Sequence, residues 1–256
     1  PSNKYELRNA VKLWYYDNEI AVEKFNHISN WDTSLITDMS HLFYGMKEFN
    51  DDISNWNVSN VINLSYTFSG CDTFDQSINN WDISNVKYMN SMFEKAIKFN
   101  QPLDKWNTTN VIDMSSLFSN CTKFNQELKN FNTKSVENMF FMFFCAQNFN
   151  QSINNWNVSN VRHMTNMFDG ALNFNQPLNN WDISNLTNTE NMFGDSDFNQ
   201  DLNNWDVQNV VNMNYMFCRS KFNKDISNWN TQNVKYHEKI FFSSKINDEF
   251  KPIFKI

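Results

Sequence analysis

The sequence predicts an α/β fold: a leucine-rich-repeat-like solenoid of nine coils of about 25 residues, each a short strand plus a short helix, behind an N-terminal capping helix. Three observations predict it. Trp stands at 31, 56, 81, 106, 156, 181, 205 and 229, with Phe131 filling the one gap, so a motif recurs every 24 or 25 residues. Apolar residues keep fixed offsets from that tryptophan, which is taken as position zero. Phe holds minus 7 from Phe49 to Phe222 and plus 12 from Phe43 to Phe241, and Val, Ile or Leu holds minus 3 and plus 5. The composition fits neither a turn-rich sandwich nor a linker: 256 residues carry 25 Phe and 47 Asn, but only 4 Gly and 4 Pro. A fixed period of this length marks stacked units that cannot bury their apolar faces alone.

The elements follow in order. Residues 1–25 break the period and read as a helical cap, with Asn3 and Glu6 at capping-box spacing and Leu7, Ala10, Val11 and Trp14 on one stripe. Residues 26–241 hold the repeats. From minus 1 to plus 3 the pattern alternates, as in Asn55-Trp56-Asn57-Val58-Ser59, and predicts a half-buried strand. From plus 5 onward apolar residues come three and four apart, as in Val86, Met89, Met92, Phe93 and Ala96, and predict a short α- or 3₁₀-helix. Asn at plus 4, such as Asn60, Asn85 and Asn110, is expected to point inward and satisfy backbone groups of adjacent coils. Residues 242–256 leave the repeat as an apolar, Lys-rich tail expected to cover the last coil.

These residues resemble the BspA-like, mycoplasma-type leucine-rich-repeat surface-protein family. Trp81-Asp82-Ile83-Ser84-Asn85-Val86, Met89, Met92-Phe93, Ala96, Phe99-Asn100 and Leu103 match its unit position by position, and the match recurs over about residues 25–241. The resemblance implies an α/β solenoid and adhesion or partner binding at a cell surface, after secretion or in a virion. It brings no catalytic residues.

A formal net charge of -7 with only three Arg argues against nucleic acid as the partner. No run is apolar and long enough to insert in a membrane, and no signal peptide is read at the start. Without HExxH, a P-loop, G-x-S-x-G or paired CxxC, neither an enzyme nor a cofactor is expected. The expected function is a non-enzymatic module that binds a protein, a glycan or a second copy of itself. A structural or assembly protein is the alternative, and an ice-binding surface a third reading.

Candidate residues come from departures in the repeat. Phe140, Phe141 and Phe144 fall at plus 9, plus 10 and plus 13, where Ser115, Ser116 and Ser119 or Thr165, Asn166 and Asp169 stand elsewhere. Either the three rings project as an interface, or this coil, which also has Phe131 in place of Trp, is rearranged. Lys105 and Lys134 break the monotony of an Asn/Asp/Ser face and could mark a contact. Asp182 and Asp206, at plus 1 on adjacent coils, could hold a cation, although no third ligand is indicated. Cys71, Cys121, Cys145 and Cys218 read as free thiols, and the Met positions as core filler.

Overall fold

Two segments form α-helices in the computed structural model, which describes residues 1–254: α1 (Lys4–Tyr16) and α2 (Asn18–Phe25). Asn3 caps α1 by accepting from the Glu6 N–H at 3.0 Å, and Glu6 reaches back to the Ser2 N–H at 2.9 Å. Leu7, Ala10, Val11 and Trp14 are buried. Asp17 breaks the helical segment and caps α2 through the Ile20 N–H. At the other end, the Ile226 N–H donates to the Phe250 carbonyl and the Phe254 ring stacks on His237 at 4.7 Å, so the tail lies against the last coil. Its final residues, 255 and 256, lie outside the described residues.

The repeats do not form the expected α/β leucine-rich-repeat-like solenoid of strand plus helix. Among the described residues there is no strand and no sheet, and α1 and α2 are the only α-helices. What recurs is a winding of tight turns whose neighbours meet at isolated parallel bridges at plus 7, from Asp38–Asn63 through to Asn212–Tyr236.

The backbone conformation explains why no helix forms. In all nine coils the residues at plus 10 and plus 14 have positive φ, for instance Ser91 (53°) with Lys95 (59°), and Ser116 (53°) with Asn120 (57°). An α-helix requires negative φ throughout. A type II turn, by contrast, requires positive φ at its third residue, and two such turns close here. In the third coil the Met92 N–H bonds back to the Met89 carbonyl, and Ala96 bonds back to Phe93. The intervening donors point along the stack: Met89, Ser91, Phe93 and Lys95 donate to the carbonyls of Asp113, Ser115, Leu117 and Ser119 on the next coil. Alternate N–H groups thus close the coil's own turns and bridge to its neighbour, which satisfies this buried backbone without a sheet.

The segment read as a strand is instead a pair of turns at a corner. The Trp56 N–H closes on Ile53 and the Val61 N–H on Val58, while Trp56 and Val58 still point inward. From Trp56 onward each indole Nε1 donates to the minus 3 carbonyl of the coil before it, as Trp106 does to Ile78 at 3.1 Å, whereas Trp31 donates to the Asn26 carbonyl. The plus 12 phenylalanines stack face to face along the winding, with Phe93, Phe118 and Phe143 spaced 5.7 Å apart. In the first eight coils the plus 12 ring packs 4.0–4.1 Å from the phenylalanine that follows it, as Phe118 does on Phe124 at 4.0 Å and Phe168 on Phe174 at 4.1 Å. Burial of these rings is the main force holding the stack, since aromatic pairs add to the area each ring removes from water.

The turn geometry makes a prediction opposite in sign to a helical one. Ser116 is non-glycine at φ 53°, a conformation that costs an L-residue about 1 kcal/mol. Ser116→Gly should therefore stabilise the protein by ~0.5–1 kcal/mol in urea unfolding, whereas in a helix interior it costs about that much. A loss of stability would speak against the turn.

Candidate interaction surface

Asparagine and aspartate side chains do most of the polar work of the stack, which settles what is left over for a ligand. At plus 1 they form Asx turns: Asp82 accepts from the Ser84 N–H at 3.0 Å, and Asn157 from Ser159 at 3.0 Å. At plus 4 they are exposed rather than inward, correcting the expectation, but each still donates to a backbone carbonyl of the coil before it. Asn60 reaches Ser34 at 2.8 Å, and Asn185 reaches Ser159 at 2.8 Å. A third ladder at minus 6 escaped the sequence reading. There Asn100 accepts from the Asn125 N–H, Asn125 from Asn150, and Asn150 from Asn175, at 2.9–3.0 Å. Their common offset was visible in the sequence; the partner of each amide was not.

The two carboxylates considered for a cation are used in the same way. Asp182 accepts from Ser184 and Asp206 from Gln208, each at 3.0 Å. The Ser184 hydrogen bonds hold the Asp182 carboxyl below its usual range. Among the described residues, no group of three or more His, Cys, Asp or Glu is arranged to hold a metal ion. Lys105 and Lys134 are exposed at minus 1 and plus 3. The Lys105 ammonium donates to Asn80 at 2.8 Å, and the Lys134 carbonyl accepts from Asn160 at 2.7 Å. They belong to a different part of the coil from the three Phe rings.

All four cysteines are free thiols. Cys71 and Cys121 are buried and donate to the Phe43 and Ala96 carbonyls at 3.1 and 3.0 Å. Burial pushes both thiols up, far from thiolate reactivity.

Side chains from plus 9 to plus 14 on the outside of the turn ladder are different. The exposed and half-exposed Tyr and Phe rings of the coils all lie between plus 7 and plus 13. With His41, seven of them gather in three groups: His41, Tyr44 and Tyr66; Phe140, Phe141 and Phe144; and Tyr215 with Phe242, while Tyr88 and Tyr236, both at plus 7, belong to none of these. Phe140 is 37% exposed, and Phe141 and Phe144 are half-buried. Their rings meet edge to face, Phe140–Phe141 at 6.0 Å and Phe141–Phe144 at 5.4 Å.

The coil that carries these three rings is not rearranged. Asn138 keeps its bridges to Asp113 and His163, Phe141 and Cys145 keep their positive φ, and Phe143 sits in the column 5.6 Å from Phe168. Phe131 holds the Trp slot, 6.5 Å from Trp106 and 6.4 Å from Trp156. The outward rings therefore sit on an intact scaffold.

Stacked identical coils with one variable outer face define a repeat protein. The chain belongs to the family described as Mycoplasma protein of unknown function, DUF285, whose model matches residues 12–129, 101–197 and 181–252. No curated protein and no solved structure matches the chain.

Proposed function

We propose that this chain is a non-enzymatic, cofactor-free binding module whose turn-ladder face engages a protein partner at Phe140, Phe141 and Phe144. The observation that carries the reading is the outward three-ring cluster on a coil whose core and backbone are in register. Rings held edge to face and half exposed offer apolar area at little entropic cost, as the centres of protein interfaces do. Most of the Asn and Asp side chains at plus 1, plus 4 and minus 6 are engaged in turns and ladders, which supports placing protein recognition on the aromatic face. The BspA-like kinship read from the motif adds adhesion or surface display to the same reading.

The test is a pull-down from the native host with the wild type and the Phe140/Phe141/Phe144→Ser triple variant, together with ANS fluorescence and sedimentation. The expected result is a partner retained by the wild type and lost in the variant, with lower ANS fluorescence and unchanged thermal unfolding. Self-association of the wild type that the variant abolishes would favour the assembly reading instead. Unchanged binding, ANS signal and mass would sink both.

A further inference from the structure

At the N-terminal end of the same face the coils open into a trough of about 590 Å³, built by glycines. Position plus 14 carries Lys95, Asn120, Cys145, Asp195, Arg219 or Ser243 in six other coils and Gly170 in one, so its positive φ does not oblige glycine. In the first two coils it is Gly45 and Gly70. A Cβ on Gly45 would meet nothing within 4 Å, and one on Gly70 would meet only Gly45 backbone, the nearest atom at 3.4 Å. The floor of the trough is therefore bare backbone over two coils.

Tyr44, 57% exposed, forms one wall. It meets Tyr66 edge-on at 6.4 Å, and Tyr66 in turn stacks on His41 at 4.6 Å. Lys47, Asp72, Glu94 and Lys95 stand around the floor, and none of them belongs to an ion pair among the described residues. This contrasts with the last coils, where Arg219 is tied to Asp195 and Lys221 to Asp197. The trough thus combines an aromatic wall, two unspent acceptors and two unspent donors, and its lining charges cancel.

We infer that this trough binds a neutral oligosaccharide. An aromatic ring packs against the C–H face of a pyranose, while carboxylates and ammonium groups take its hydroxyls in charge-assisted hydrogen bonds. A cancelled lining charge favours a neutral ligand over an acidic or basic one. The spacing of the plus 12 column beneath it, 5.3 Å for Phe43–Phe68 and 5.9 Å for Phe68–Phe93, is close to the length of one sugar ring, so successive coils would meet successive residues. This site shares no residue with the Phe140 cluster and stands or falls independently of it.

The experiment is calorimetry or saturation-transfer NMR on the full chain with soluble oligomers of glucose, mannose, galactose and N-acetylglucosamine, and oligogalacturonate as the acidic control. Tyr44→Ala removes the wall. Gly45→Asn fills the floor with a residue that already occupies this position at φ 57° in Asn120, so the coil keeps its conformation. The expected result is binding of a neutral series, weakened at least about tenfold by each substitution and unaffected by Phe141→Ser. Wild type that binds no neutral series, or only the acidic one, overturns the inference. So does binding that survives both substitutions.

Discussion

Phe118→Ala should cost about 3–5 kcal/mol of stability, the range for a large buried aromatic. The ring is fully buried, 4.0 Å from Phe124 and 5.7 Å from both Phe93 and Phe143. The cavity cannot close by local collapse. The Phe118 N–H is bonded to the Met142 carbonyl and the Phe93 N–H to Leu117, so hydrogen bonds on both sides hold the coil at its spacing. Phe140→Ala, the same chemical change at a ring 37% exposed on the next coil, should cost under about 1 kcal/mol. Urea unfolding of the two variants measures the difference directly. Comparable losses would mean that the plus 12 column is not the core.

Asp169→Asn should be stabilising at neutral pH, and the gain should depend on pH. Asp169 is buried on the turn-ladder face, where its Oδ2 accepts from the Asn166 amide at 2.9 Å and the Asn191 amide at 2.5 Å. Burial is the main cause that raises its pKa to about 6, with the nearby Asp195 carboxylate adding to it. The folded protein therefore holds this proton more tightly than the unfolded chain, whose carboxyl titrates near 3.8. Stability from this group is full below about pH 4 and is lost as the pH rises through about 6. At pH 7 the loss is on the order of 2–3 kcal/mol at most. An amide keeps an acceptor for Asn166 and Asn191 without the buried charge. Asp169→Asn should recover much of that loss at pH 7, change little at pH 4, and flatten the profile between them. A variant less stable than wild type at pH 7 would show that the carboxylate is a net contributor.

The sequence made the period and the inward positions legible because burial follows residue type. Trp at zero, Phe at minus 7 and plus 12, and the aliphatics at minus 3 and plus 5 lie in the core, with the last plus 12 ring, Phe241, partly buried against it. Backbone conformation was not legible in the same way. Apolar residues at plus 5, plus 8, plus 11 and plus 12 return at intervals of three and four in a run of three-residue turns as they do in a helix, so spacing alone does not separate the two. The usual marker of positive φ is glycine. Of the eighteen repeat positions with positive φ, fifteen carry other residues, including bulky Tyr66, Phe141 and Arg219. One signal was present and unused: Gly45, Gly70 and Gly170, three of the four glycines, share the plus 14 offset.

The candidate site shows the same division. That Phe140, Phe141 and Phe144 face outward could be read from their offsets. The trough over Gly45 and Gly70 could not, because it depends on the path of the main chain rather than on any side chain.

Each interior coil hands its plus 10, plus 12 and plus 14 donors to the following one and receives the same set from the one before. Excising or duplicating a whole unit, such as residues 107–131, rejoins matching surfaces, while a cut that is not a whole number of units leaves the two halves out of step. Copy number is thus a quantity that gene duplication can change without redesigning any junction. The outer face can lengthen, shorten or change its pattern of rings while the interior stays the same.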